Sequence, residues 1–179
     1  PFNRQAARVA RVAVDTYRRV HPERFAAVAG SMGPTTKSIS ITGGVSFVDL
    51  VNNYAVQAQG LLEGGVDVLL LETGQDTLNL KAGLVGIEHA IDRLGLRRDD
   101  VPVGLSGTIE PMGTMLAGQS AEALHTSVEH AALSFIGLNC ATGPDAMADH
   151  IRALAQLSPL PVLCMPNAGL PDENGRYGE

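Results

Sequence analysis

Apolar positions along this chain follow two different periods. Five short, nearly unbroken apolar runs read as strands covered on both faces. They are Phe25–Gly30 (FAAVAG), Val66–Leu71 (VDVLLL), Pro102–Gly107 (PVGLSG), Leu133–Leu138 (LSFIGL) and Pro161–Met165 (PVLCM). Between them the apolar positions recur at helical spacing. A first helix runs from Asn3, read as its cap, to about Val20, with Ala10, Ala13, Val14 and Tyr17 in step and His21-Pro22 ending it. Ser46 and Asp49 resemble a capping box. The helix they open carries Leu50, Val51, Tyr54, Ala58, Leu61 and Leu62 and closes at Gly64-Gly65. A third runs from about Asp76 to Leu94 on Leu80, Leu84, Ile87 and Ile91, and a short fourth from Ser120 to Ala131. Gly143-Pro144 opens a fifth that reaches Leu157, with proline where a missing N–H costs nothing.

Strands that alternate with helices, and are never joined by a hairpin signal, imply a parallel sheet with right-handed crossovers. The spacing suits a (β/α)8 TIM barrel or a doubly wound sheet. Every strand end leads into an unusual segment: GSMGPT, ETGQDT, SGTI, NCATGP and PNAGLP. A doubly wound sheet concentrates its site at one switch point, whereas a site fed by every strand end is a barrel's habit. The expected fold is therefore α/β, a partial (β/α)8 barrel in a single domain over residues 1–179. About five parallel strands are present, too few to close a barrel.

Bulk properties narrow the function little. A formal net charge of −6 argues against nucleic acid or an anionic membrane as partner. No apolar run approaches a membrane span, no signal peptide is visible, and two cysteines without a framework pattern suit a reducing, cytoplasmic setting. The chain opens at Pro1 inside a helical pattern and stops at Glu179 in a polar stretch, which reads as a piece of something longer.

Candidate chemistry gathers at the strand ends. Cys140 follows the LSFIGL run, so a thiol sits at the mouth of the fold, although a free cysteine is often a small buried hydrophobe. Glu72 ends VDVLLL, where a carboxylate is costly unless it faces a polar mouth or caps the next helix. Ser106, Thr108, Asn139 and Asn167 occupy comparable positions, where pocket lining competes with ordinary turn chemistry. GSMGPT lacks the Gly-Lys-Ser/Thr ending of a phosphate loop. The histidines, His21, His89, His125, His130 and His150, fall on helices or helix ends and most are expected to be solvated, which disfavours a histidine-based site.

GSMGPT, ETGQDTLNLKA, SGTI with a later LAGQS, GLNCATGP and PNAGLP, in this order, resemble the homocysteine-binding (homocysteine S-methyltransferase) barrel of cobalamin-dependent methionine synthases. That barrel is similar to those of betaine- and S-methylmethionine-dependent homocysteine methyltransferases. The match covers about Phe25 to Glu179, and PNAGLP with SGTI…LAGQS looks more like the cobalamin-dependent branch. The resemblance implies methyl transfer to a zinc-bound homocysteine thiolate, forming methionine. Methylcobalamin would be the donor, held with folate by neighbouring domains of the same protein. It implies that Cys140 is one of three zinc thiolates, the others coming from a later Gly-Gly-Cys-Cys-Gly segment, and that Glu72 accepts a hydrogen bond from the homocysteine amino group. Ser106 would line the substrate pocket, and Asn139 would orient backbone or substrate beside the metal, a purely structural role being its alternative. The first two strands and the final strand with the paired cysteines are missing from this pattern, so the chain alone is expected to be inactive. The other branch, and a non-catalytic barrel remnant, are the alternatives. Cys164 as a replacement ligand is disfavoured because it lies within its strand, where buried packing is expected.

Overall fold

The computed structural model describes residues 1–169 and 172–176; Leu170-Pro171, which close the PNAGLP segment, and residues 177–179 lie outside the described residues. Helix and strand alternate throughout: α1 (Phe2–Val20), β1 (Ala29–Met32), α2 (Phe47–Gly64), β2 (Val68–Gly74), α3 (Thr77–Leu94), β3 (Val103–Gly107), α4 (Ala121–Val128), β4 (Phe135–Asn139), α5 (Pro144–Leu157) and β5 (Val162–Met165). The five strands form one sheet in the order β1-β2-β3-β4-β5, and every pairing is parallel. Because each strand sits beside its sequence neighbours, there is no switch point among the described strands. This is an arc of a (β/α)8 barrel, not a doubly wound sheet.

The helix ends follow the local chemistry of the sequence. Ser46 and Asp49 make the reciprocal capping box of α2, Asp76 caps α3 through Leu78 N, and Ser120 caps α4 through Ala123 N. Gly65 and Gly95 take left-handed conformations (φ 90° and 64°) that close α2 and α3. One cap reads differently. Helix α1 starts at Phe2 with no side-chain cap, so Asn3 lies within its first turn.

Two strand boundaries also move. The FAAVAG run suggests a strand at Phe25–Gly30, but β1 is Ala29–Met32 and Phe25 is 90% exposed. The reason is the partner. Asp67 receives Val28 N on its carboxylate and donates its own N–H to Val28 O, so ladder pairing cannot begin before this point. Strand β2 runs past Glu72 to Gly74, and its pairing with β3 jumps from Leu71↔Leu105 to Gly74↔Gly107. Two residues of β2 there oppose one of β3, a bulge that re-aims the strand tip.

Register assigns the two faces. Gly83 of α3 lies against Leu71, Leu61 of α2 against Gly30, and Leu124 of α4 against Gly107, so this set of positions faces the helices. On that face Leu69, Leu71, Val103, Leu105, Ile136 and Leu138 are at most 1% exposed, each burial contributing about 1.5–3 kcal/mol. Helices α2 and α3 approach closely because Gly86 carries no Cβ; one there would lie 2.7 Å from Val51 O. The opposite face carries Ser31, Leu70, Glu72, Gly104, Ser106, Phe135, Gly137 and Asn139, aligned by the pairings Ser31↔Leu70, Leu70↔Gly104, Gly104↔Phe135 and Ser106↔Gly137. The Phe135 ring occupies the place where a residue-104 side chain would stand. This second face is the inner wall of the arc.

Three further expectations change. Cys164 is exposed rather than buried, pairs with Leu138 on the helix-facing side, and brings Sγ within 3.9 Å of Met147 Sδ. His125 is buried on α4, its Nδ1 3.8 Å from Glu129, rather than solvated. In α1, Ala10 and Val14 are half-buried and Ala7 fully buried against α2, while Val9, Val12 and Val20 form an exposed apolar stripe. Among the described residues no helix is long and apolar enough to cross a membrane.

A buried polar clamp fixes the long β1–α2 loop. Asp76, 0% exposed, accepts Ser38 Oγ (2.6 Å), Ser40 N (3.0 Å), Ser40 Oγ (3.1 Å) and Leu78 N (2.9 Å). Asn79 adds Ile39 N at 3.0 Å on its oxygen and Lys37 O at 2.9 Å on its nitrogen. Burial pushes the Asp76 carboxyl up, but the hydroxyl and N–H donors outweigh it and hold the group below its ordinary range.

Two outcomes are expected. Asp76→Ala removes a buried acceptor from four donors and should destabilise the fold by about 2–4 kcal/mol. Because the folded carboxyl titrates below the unfolded one, its contribution is complete above about pH 4 and fades as pH falls further. The difference in melting temperature between wild type and variant should therefore hold from pH 7 to 5 and shrink below about pH 4; a difference independent of pH would refute the assignment. The second concerns the sheet edges. Strands β1 and β5 each pair on one side only among the described residues, leaving parallel edges beside an apolar inner wall. The 179-residue chain on its own should self-associate on size exclusion or melt broadly; a clean monomer melting cooperatively above about 60 °C would contradict this.

Candidate active site at the strand tips

Everything chemically distinctive on the inner wall lies at the C-terminal ends of β1, β2, β3 and β4. Glu72 projects from the tip of β2 and is half-buried; its Oε1 accepts the Ser31 hydroxyl from β1. Ser31 escaped the sequence reading because it stood in what read as a loop; its place in GSMGPT directly after an apolar run was the available signal.

Asn139, the last residue of β4 and 2% exposed, bridges three strand ends. Its Oδ1 accepts Thr73 N (3.0 Å) and Ser106 Oγ (2.6 Å), and its Nδ2 donates to Thr73 Oγ1 (2.8 Å) and Cys140 Sγ (3.2 Å). The orientation of the amide follows from chemistry: a backbone N–H only donates, so the atom facing Thr73 N is the oxygen. Ser106, in the middle of this arrangement, is 0% exposed. Thr108 is also buried, and both its N–H (2.9 Å) and its hydroxyl (3.3 Å) go to Gly74 O. The side chains of Ser106, Thr108 and Asn139 therefore make their hydrogen bonds to neighbouring strand tips.

The backbone here is unusual. Thr73 (φ 59°), Cys140 (φ 55°) and Ala141 (φ 60°) are the non-glycine residues with positive φ among the described residues, and the Asn139 amide bonds to the first two. Such conformations cost of order 1–3 kcal/mol each and persist where surroundings over-determine them. At Cys140 the surroundings are clear. Its N–H donates to Met165 O (3.0 Å) at the tip of β5, its carbonyl accepts Thr142 N (2.7 Å), and Asn167 N closes on Thr142 O (3.0 Å). The half-buried thiol is thus held at the mouth of the arc between the ends of β4 and β5.

A zinc site needs four donors in tetrahedral arrangement, with at least three from protein in catalytic sites. No group of three or more His, Cys, Asp or Glu side chains able to hold a metal ion forms among the described residues. Cys164 cannot join Cys140 from where it stands, since it shares the helix-facing register of Leu138 and its sulfur lies against Met147. The described residues supply a single thiol to the mouth and do not make a metal site by themselves.

Comparison with known proteins identifies relatives. The family model for homocysteine S-methyltransferase matches residues 1–179. The methionine synthase of Mycobacterium tuberculosis is 44% identical over 150 residues, covering 84% of this chain and 12% of that protein. Among solved structures, the apo form of the Escherichia coli homocysteine methyltransferase MmuM superimposes with a TM-score of 0.76 at 20% identity, covering 93% of this chain and 59% of that one. Its metallated form gives 0.71 at 19%, covering 93% and 58%. At that identity the likeness is one of fold. The chain spans little more than half the length of those barrels and about an eighth of the synthase.

From the donor set follows an expected outcome for metal. The purified 179-residue chain should retain well under one zinc per chain after dialysis, because a lone thiolate leaves zinc's remaining positions to water. Metal analysis giving one tightly held zinc, lost in Cys140→Ser, would overturn this and bring Cys164 back as a ligand.

Proposed function

The chain belongs to the homocysteine S-methyltransferase family, and from that premise we propose that it is the homocysteine-binding part of a methionine synthase. In the intact protein it would present homocysteine for methylation at sulfur. The observation that carries this reading is the 44% identity to a methionine synthase across 84% of the chain. The matched stretch includes segments that form the inner mouth of the arc. The same observation favours the methionine synthase branch over betaine- or S-methylmethionine-dependent transfer.

The residues divide the work as an amino acid with a side-chain thiol would require. Glu72, polarised by the Ser31 hydroxyl, is an acceptor for the substrate ammonium. Cys140 stands at the mouth where the substrate sulfur would lie, as one thiolate of a zinc site completed by donors outside the described residues. The metal would supply a substrate thiolate near neutral pH. Methylcobalamin on another domain of the same protein would supply the methyl group. A reducing, cytoplasmic setting agrees with two free cysteines.

The test is Glu72→Gln in the intact protein. Removing the negative charge while keeping the shape should weaken homocysteine binding about 10-fold or more, with zinc content unchanged, since charge-assisted hydrogen bonds contribute about 1.5–3 kcal/mol. Isothermal titration with homocysteine reads this directly. Unaltered affinity would remove Glu72 from the substrate site.

A further inference from the structure

We infer that Asn139 is a positioning residue that holds the Cys140 sulfur and the tip of β2 in fixed relation, and that it makes no contact with substrate. The inference rests on the proposed homocysteine reading and deepens it. A primary amide offers two N–H donors and one oxygen with two lone pairs. At Asn139 all four are used inside the protein: the oxygen by Thr73 N and Ser106 Oγ, the nitrogen by Thr73 Oγ1 and Cys140 Sγ. Nothing is left for a ligand, and at 2% exposure no ligand atom could reach the group without displacing one of these partners.

What the four bonds accomplish is set by their ends. Two go to Thr73, the left-handed residue next to Glu72 at the β2 bulge. One goes to the sulfur of Cys140, itself left-handed, and the last to Ser106 on the strand between them. The amide therefore ties the carboxylate-bearing tip to the thiol-bearing tip across β3. An N–H directed at sulfur also selects the Cys140 rotamer. Loss of that donor should free the sulfur while leaving Glu72 in place, so its effect belongs in turnover and not in substrate affinity.

Asn139→Asp isolates the point. The carboxylate keeps acceptors for Thr73 N, Thr73 Oγ1 and Ser106 Oγ, but opposes Cys140 Sγ with an acceptor where a donor stood. In the intact protein with homocysteine, kcat should fall at least about 10-fold while KM for homocysteine stays within about 3-fold. Ser106→Ala, which removes a strut and spares the sulfur contact, should lower the melting temperature and cost less in kcat than Asn139→Asp. Should Asn139→Asp fail to fold, Asn139→Ala combined with Thr73→Gly takes its place, since glycine adopts the residue-73 conformation unaided; the same loss in kcat is expected. Wild-type kcat in the folded variant would reduce Asn139 to a structural role, and a loss confined to KM would make it a substrate contact; either overturns the inference. A wild-type protein that neither binds nor methylates homocysteine overturns the underlying reading, and the inference with it. Loss of homocysteine binding in Glu72→Gln beside normal turnover in Asn139→Asp would sink the inference alone.

Discussion

The strand-tip end of this molecule depends on one side-chain amide. Parallel strands end in carbonyls and N–H groups whose next partners must come from somewhere, and in most α/β units they come from the loops. Here Asn139 supplies part of that closure for β2, β3 and β4 together, satisfying Thr73 N and tying Ser106 Oγ and Cys140 Sγ to the same few atoms. Within a buried environment such a network is stable only when complete, because a half-satisfied one carries the desolvation cost without the bonds. That condition explains why the left-handed backbones at Thr73 and Cys140 coexist there. Each of these two strained residues is bonded to the Asn139 side chain, Thr73 through its N–H and hydroxyl and Cys140 through its sulfur.

The rest of the architecture places that amide. Apolar residues of β2, β3 and β4 fill the face toward α2–α4 to near-zero exposure, which fixes register, and register decides which residues reach the inner wall. Glycine at 104 and 137 keeps the inner wall thin, so Phe135 covers one and the Leu163 backbone approaches the other. Among the described residues, the polar side chains of this wall then lie at its tips. The Asp76 clamp does for the β1–α2 loop what Asn139 does for the strand tips: a short buried polar side chain gathers donors from separate segments.

Much of this was legible in the residues. The apolar runs of β2 to β5 and the helices α2 to α5 stood out because both periodicities and caps agreed; Ser46–Asp49, Gly65, Ser120 and Pro144 each mark a boundary that the structure keeps. The exceptions have physical causes. Residues 25–28 of FAAVAG are apolar but precede the paired strand, because pairing is set by where Asp67 catches Val28, a contact between residues 39 positions apart. The exposed stripe of α1 and the burial of His125 depend on which neighbours the helices meet, which no single-segment pattern contains. At the site, the positions of Glu72, Ser106, Asn139 and Cys140 at strand ends were readable, but their mutual bonding was not. A residue spacing of 66 between Thr73 and Asn139 acquires meaning only once β2, β3 and β4 lie side by side.

The site also shows why its chemistry is not separable from the sheet. Left-handed conformation at a non-glycine residue costs of order 1–3 kcal/mol, and Thr73, Cys140 and Ala141 together make a sum comparable with a good part of a domain's net stability. That sum is tolerable because the tips are anchored from below by strands at 0–1% exposure and from above by the hydrogen bonds of Asn139, Met165 and Asn167. Loosening the sheet would let Cys140 relax toward ordinary extended backbone and swing its sulfur away from the mouth. The thiol's position is therefore a property of the packed arc as a whole: the hydrophobic face supplies the rigidity, and the amide converts that rigidity into a direction for one sulfur atom.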